Sequence, residues 1–188
     1  MHTGAVTVQF CGFGGQGIVL SAVVFGAAAV TQAGLEAVQT QSYGSEARGG
    51  ECQAELIISE EPIDSPLADK VDILIARSQP ALERYLGSVR PGGTVVIDPQ
   101  LVDHPQRDDV RVVEVSAAET ASQMGNEIVA NMVTLGFLQE ASGLLSAADL
   151  DEAIKSSVPE RFVELNLSAA ERGRRLARDR GTTIEVSA

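Results

Sequence analysis

The chemically useful residues begin near the N-terminus with Gly12-Phe13-Gly14-Gly15-Gln16-Gly17. The spacing is G-x-G-x-x-G. It follows a short apolar, β-branched run and precedes a helical one, which is the context that gives the pattern a mechanical meaning. Glycines open the left-handed backbone region to a tight turn and let an anion approach the main chain. Amide N–H groups at the start of the next helix have no partner inside it, so they are aimed at whatever lies outside, and a phosphate suits them. Gly12, Gly14, Gly15, Gln16, Gly17 and Ile18 are therefore candidate cofactor-binding residues. A glycine turn that only packs a helix closely on a sheet would need the same residues.

A second loop, Ser42-Tyr43-Gly44-Ser45-Glu46-Ala47-Arg48-Gly49-Gly50, follows the next expected strand. In a doubly wound sheet the ligand crevice forms from loops at the carboxyl ends of strands, so this loop should face the first. Arg48 can hold a carboxylate or phosphate through two parallel hydrogen bonds, or it can pair with Glu46 or Glu51 and pin the loop. Tyr43 can stack on a base, although packing on the sheet edge is the commoner use of one tyrosine. A nicotinamide dinucleotide site wants an acidic residue about 20 positions beyond the glycines, at the end of the second strand. Here that strand ends Gln39-Thr40-Gln41, and Glu36 stands at its beginning. This favours a different phosphate-bearing ligand. An NAD(P)-binding module stays open as one alternative, and an assembly subunit whose loop binds nothing as another.

Other chemistries find little support. Two cysteines, Cys11 and Cys52, are too few for an iron–sulfur cluster, and with only His2 and His104 beside them a zinc site is not expected. Cys11, next to the glycine loop, would feel the positive helix terminus as a thiolate, but an isolated cysteine on a buried strand usually behaves as a small hydrophobe. No nucleophile elbow or Ser/His/Asp set can be assembled. The net charge of −12 opposes general nucleic-acid binding and an anionic membrane surface. The longest apolar run, residues 18–30, is too short to span a bilayer, so a cytoplasmic protein is expected.

These residues must be held by a scaffold. With 188 residues, 44% hydrophobic and only 4% aromatic, one domain is expected over 1–188, its core made of Val, Ile, Leu and Ala. Strands are predicted at 5–11, 37–41, 52–59, 71–76, 94–97 and 110–115, and helices at 18–32 and 80–89. In the third strand Ala54, Leu56 and Ile58 share one face. Beyond residue 116 only helical periodicity remains, over 117–124, 127–141, 147–157 and 161–180, with a capping box at Ser146 and Asp149. The fold class that follows is α/β: a three-layer, Rossmann-like, mostly parallel sheet with a helical C-terminal portion. Asn131, mid-helix among apolar residues, is expected to bond a loop carbonyl. Gly125-Asn126 should mark a helix junction. The basic run Arg172, Arg174, Arg175, Arg178 and Arg180 should complement a helix C-terminus, with a partner-docking role as the sharper reading.

Taken together, the first glycine loop, Tyr43 through Gly50, Val71-Asp72-Ile73-Leu74-Ile75-Ala76, Pro91-Gly92-Gly93-Thr94-Val95-Val96-Ile97 and Ala130-Asn131-Met132-Val133-Thr134-Leu135-Gly136 resemble the gamma subunit of 2-oxoacid:ferredoxin oxidoreductases. Asn166, Ala169 and Gly173 fall in its closing helix. The segment Gln39 to Gly44 is most similar to the 2-oxoglutarate branch. The resemblance implies oxidative decarboxylation of a 2-oxoacid to an acyl-coenzyme A with reduction of ferredoxin. With that reaction, the backbone of Gly14 to Gly17 and Ile18 is expected to receive coenzyme A phosphates, and Arg48 to add charge near the same ligand or near the partner active site. Thiamine diphosphate, magnesium and iron–sulfur clusters are implied on alpha, beta and ferredoxin-like delta partners. No catalytic residue is expected here.

Overall fold

A computed structural model describes residues 4–43 and 50–186. Arg48 and the rest of the run Gly44-Ser45-Glu46-Ala47-Arg48-Gly49 lie outside the described residues. Six strands, β1 (Val6–Phe13), β2 (Glu36–Tyr43), β3 (Glu51–Ser59), β4 (Val71–Ala76), β5 (Val89–Ile97) and β6 (Arg111–Glu114), form one sheet in the order β2-β3-β1-β4-β5-β6. The pairs β1–β4, β4–β5 and β5–β6 are parallel, whereas β3 is antiparallel to both β1 and β2. Five strands thus share one direction, and β3 returns between β1 and β2. The mostly parallel sheet expected from the sequence is present. The return of β3 places its first residue, Glu51, beside Phe13 at the carboxyl end of β1.

Side-chain alternation sorts the strands between two apolar layers. Val8 and Phe10 of β1, Ala54, Leu56 and Ile58 of β3, and Ile73 and Ile75 of β4 face the larger one. This layer is covered by α1 (Ile18–Ala27), α3 (Ala117–Gln123), α4 (Ala130–Ser142), α5 (Ala147–Ser157) and α6 (Val163–Asp179). Leu74, Val95 and Ile97 face the smaller layer under α2 (Gln79–Tyr85), the only described α-helix on that side. There are three layers, but the helices are shared unequally. The segment read as a turn at Pro91-Gly92-Gly93 lies within β5, as an irregularity with Gly92 at φ 77°.

Local chemistry explains several boundaries. Gly17, left-handed at φ 74°, opens α1 without a side-chain cap. The helix continues through a π-turn (Ala28–Gln32) before Gly34 at φ 70°. Ser146 and Asp149 cap α5 reciprocally as expected, at 3.2 Å and 2.9 Å. α4 and α6 touch backbone to backbone. A Cβ on Gly136 would lie 2.6 Å from the carbonyl carbon of Ala170, and one on Gly173 would lie 2.8 Å from the Phe137 nitrogen. Glycine is the residue that fits there, and the crossing fixes where the first turns of both helices point.

Most of the basic run at the end of the chain's last helix makes contacts within the chain. Arg174 is buried and meets Asp151 at 3.0 Å and Glu171 at 2.9 Å. Arg178 bridges Glu171 and Glu140, and Arg180 donates to the Glu114 carbonyl. No described helix is long and apolar enough to cross a membrane.

Candidate functional site

The glycine loop is stapled by its own residues. The Phe13 N–H donates to Oε1 of Gln16 at 2.7 Å, and Nε2 of Gln16 donates to the Arg77 carbonyl at 3.0 Å. The Gly14 N–H donates to the Gly50 carbonyl at 2.9 Å, and the Gln16 N–H to the Phe13 carbonyl at 3.2 Å. Two of the candidate amides are therefore occupied. Those of Gly15, Gly17 and Ile18 have no hydrogen-bond partner among the described residues. The first intrahelical bond runs from the Ser21 N–H to the Gly17 carbonyl at 2.9 Å, which leaves the preceding donors at a positive helix terminus.

These amides open into a cleft of about 820 Å³ at the carboxyl ends of the strands. Gly14, Gly15, Gly17 and Ile18 form its floor, Tyr43, Gly50, Glu51 and Cys52 one side, and the first turns of α4 and α6 another. Its walls are largely apolar, with Leu20, Val129, Val158, Phe162 and Leu165 prominent. Glu51 is the only described lining residue charged at neutral pH, and it pairs with Arg84 at 3.0 Å. Three asparagines add carboxamides to the lining. Asn126 accepts from the Ile128 N–H at 3.1 Å, and Asn166 donates to the Phe162 carbonyl at 2.8 Å. The side chain of Asn131, a residue only 3% exposed, makes no hydrogen bond among the described residues and lies against Gly17.

Of the residues singled out from the sequence, Gly14, Gly15, Gly17, Ile18 and Tyr43 line the cleft. Gly12 and Gln16 do not. Gly12 belongs to β1, where a Cβ would sit 2.9 Å from Ile18 Cδ1 and 3.1 Å from Arg77 Cβ, and Gln16 is turned inward as the staple. Tyr43 stands 64% exposed at the rim, not packed on the sheet edge. Arg48 falls outside the described residues, although its loop joins Tyr43 and Gly50, both at the cleft. Glu51, a suggested partner for Arg48, is engaged by Arg84. Gly125, at φ 73°, and Asn126 do mark a helix junction. Asn131 does not bond a loop carbonyl of any described residue. The missed signal was a carboxamide inside an apolar helix with no evident partner.

Burial decides the state of the other reactive groups. Cys11 is fully buried, and desolvation pushes its thiol well above the usual range, so the nearby helix terminus does not make it a thiolate. Burial also raises the Cys52 thiol. Arg77 is a buried guanidinium with one side-chain hydrogen bond, to Thr134 at 3.2 Å. Its Nε has no partner, and burial lowers its pKa while Asp98 opposes that shift.

Fold and site together define an α/β protein with a largely apolar cleft at the strand ends, beside the opening of α1, and with no cluster of metal-ligating side chains among the described residues. The chain belongs to the pyruvate ferredoxin/flavodoxin oxidoreductase family, whose model matches residues 7–176. It is 44% identical over 176 residues to the 2-oxoglutarate synthase subunit KorC of Methanothermobacter marburgensis, covering 90% of this chain and 95% of that one. The gamma subunit of a keto/oxoacid ferredoxin oxidoreductase from Geobacter sulfurreducens superposes with a TM-score of 0.82 at 35% identity, over 93% of this chain and 99% of that one. The 2-oxoglutarate:ferredoxin oxidoreductase of Magnetococcus marinus, solved with 2-oxoglutarate, coenzyme A and succinyl-CoA bound, gives a TM-score of 0.85 at 26% identity, over 96% of this chain but 32% of that one.

Proposed function

We propose that this chain is the gamma-type subunit of a 2-oxoglutarate:ferredoxin oxidoreductase, a single domain that positions coenzyme A and helps to assemble the complex. The observation that carries the reading is the match to a 2-oxoglutarate synthase subunit over 90% of this chain and 95% of that one. The chain is inactive alone. Thiamine diphosphate, magnesium and iron–sulfur clusters reside on alpha, beta and ferredoxin-like delta partners, with ferredoxin as acceptor, all in the cytoplasm.

The cleft fits coenzyme A in kind. Unpartnered amides of Gly15, Gly17 and Ile18 suit a phosphate, and the apolar walls suit a flexible arm. Bound there, coenzyme A supplies the thiol that accepts the acyl group. The residues of this chain hold its phosphates, and Arg48 adds positive charge near the same ligand. Leu20 and Val23 on the outer side of α1, together with Ile128 at 81% and Phe162 at 41% exposure, form apolar surface that neighbouring subunits would cover.

Calorimetry on the assembled complex tests the cofactor role by comparing wild type with Gly15→Ala and Arg48→Ala. Weaker coenzyme A binding in either variant is expected, and unchanged affinity in both discards the assignment. A complex that keeps full activity and affinity without this chain would leave a scaffold role only. An NAD(P)-binding module is disfavoured because β2 ends Gln41-Ser42-Tyr43 with no acidic residue.

A further inference from the structure

We infer that the chain pairs with a second copy of itself along the free edge of β2, the two β2 strands running antiparallel, so that two six-stranded sheets join into one. The inference goes beyond the coenzyme A reading and does not depend on it.

Among the described strands β2 stands at one end of the sheet and pairs with β3 alone. It is eight residues long, and its register with β3 runs from Glu36 to Tyr43 without a bulge. It contains no Pro, Gly, Lys or Arg. Exposed strand edges usually carry such devices, because their unpaired N–H and C=O groups otherwise recruit another strand. The opposite edge, β6, is protected in that way. It has only four residues, Arg111 and Glu114 stand exposed at its ends, and Arg180 donates to the Glu114 carbonyl.

Charge identifies the occupant. Glu36 is the only charged side chain from Thr3 to Ser45, in a protein of net charge −12. A charged partner surface would gain nothing here, whereas a second copy brings an equally neutral edge. Antiparallel pairing over the whole strand sets the two Glu36 carboxylates at opposite ends, about 24 Å apart, and parallel pairing would set them side by side. The neutral patch continues onto α1, which packs on β2 and β3. Leu20, Val23 and Val30 face outward on α1 and its π-turn extension, with Val23 42% and Val30 47% exposed. Ala37 packs on the α1 side of the sheet, so by alternation Gln39 and Gln41 share that face. A two-fold axis at the edge places these residues along the seam, with an α1 stripe on each flank. Because the second edge is protected, the contact is isologous and closes at two copies.

Sedimentation velocity on the full-length chain over a range of concentrations, with hydrogen exchange on the same samples, tests the pairing. A dimer is expected at micromolar concentration. As it fills, alternate β2 amides should exchange about tenfold or more slowly, while β6 amides keep one rate. The double variant Gln39→Lys, Gln41→Lys brings four lysines to the seam, and Val23→Glu charges the stripe. Each should raise the dimer dissociation constant about tenfold or more at unchanged circular dichroism. Ile128→Glu, at the cleft mouth, should shift it by less than about twofold. A chain that stays monomeric alone overturns the inference, and β2 protection that appears only with other subunits of the complex would assign the edge to one of them. A dimer whose β2 amides exchange at the monomer rate overturns it too. So does a dimer dispersed by Ile128→Glu but not by the β2 and α1 variants.

Discussion

The carboxamide of Asn131 fills the space that a side chain on Gly17 would need: a Cβ there would stand 2.8 Å from Asn131 Cγ. Gly17 also has φ 74°, a conformation that L-residues other than glycine rarely adopt. Gly17→Ala therefore meets two penalties, one from the backbone and one from the contact. The expected loss is about 2–4 kcal/mol. In an Asn131→Ala background the contact penalty shrinks to the 3.2 Å approach of the Cβ at position 131, and mostly the backbone part remains. Urea midpoints at unchanged m-value measure both. Strict additivity of the two substitutions would show that the residues do not touch.

The α4–α6 crossing gives a prediction of inverted sign. Alanine normally replaces glycine inside a helix with a gain of about 1 kcal/mol. At Gly136 and Gly173 the added methyl would run into the backbone of the opposite helix, which cannot swing away as a side chain could. Each substitution should destabilise by about 3 kcal/mol or more. Gly87→Ala is the control, because a Cβ there meets nothing within 4 Å, and it should be neutral or slightly stabilising. Thermal unfolding of the three variants side by side decides the matter, and a stable Gly136→Ala would refute the close approach.

The order of elements was legible because each strand carries its own pattern: β-branched runs such as Val71-Asp72-Ile73-Leu74-Ile75-Ala76 and the alternation through Ala54, Leu56 and Ile58. The capping box at Ser146 was legible because it is a local chemical rule. The antiparallel insertion of β3 was not, since alternation gives a strand its faces but not its neighbour. Within the site, glycine spacing located the loop yet could not divide its labour. Gln16 bonds Phe13 and the Arg77 carbonyl, the latter 61 positions away. Gly12 is glycine because Ile18 and Arg77 crowd it. Asn131 stood out locally as a carboxamide among apolar residues, but that it and Asn166 reach the cleft depends on how α4 and α6 pack, which no local pattern fixes.

Glu171 accepts hydrogen bonds from Arg174, Arg175 and Arg178, and these hold its carboxyl below the usual range. A depressed carboxylate pKa contributes stability that is present above the unfolded value and lost as pH falls through the folded one. Glu171→Gln should therefore lower stability at pH 7, with the deficit fading below about pH 4.5. The side chain is 37% exposed, so the effect should stay below about 1 kcal/mol and shrink with added salt. Guanidinium would screen the charges, so urea unfolding across pH is the suitable measurement. A deficit that persists unchanged in acid would point to lost packing instead.

Thiol labelling reports on the floor of the sheet. Reaction requires the thiolate, and burial raises both cysteines, Cys11 far more than Cys52. With a disulfide reagent at pH 8, Cys52, which lines the cleft, should be modified before Cys11, which has no exposed surface. Between pH 7 and 9 the Cys52 rate should climb with no plateau, because its raised pKa keeps the thiolate a minor species there. Cys11 should react only as fast as the native sheet opens, and should speed up in parallel with added urea. Peptide mass analysis of quenched samples separates the two sites. Rapid modification of Cys11 at pH 7 would mean that the helix terminus, and not desolvation, governs that thiol.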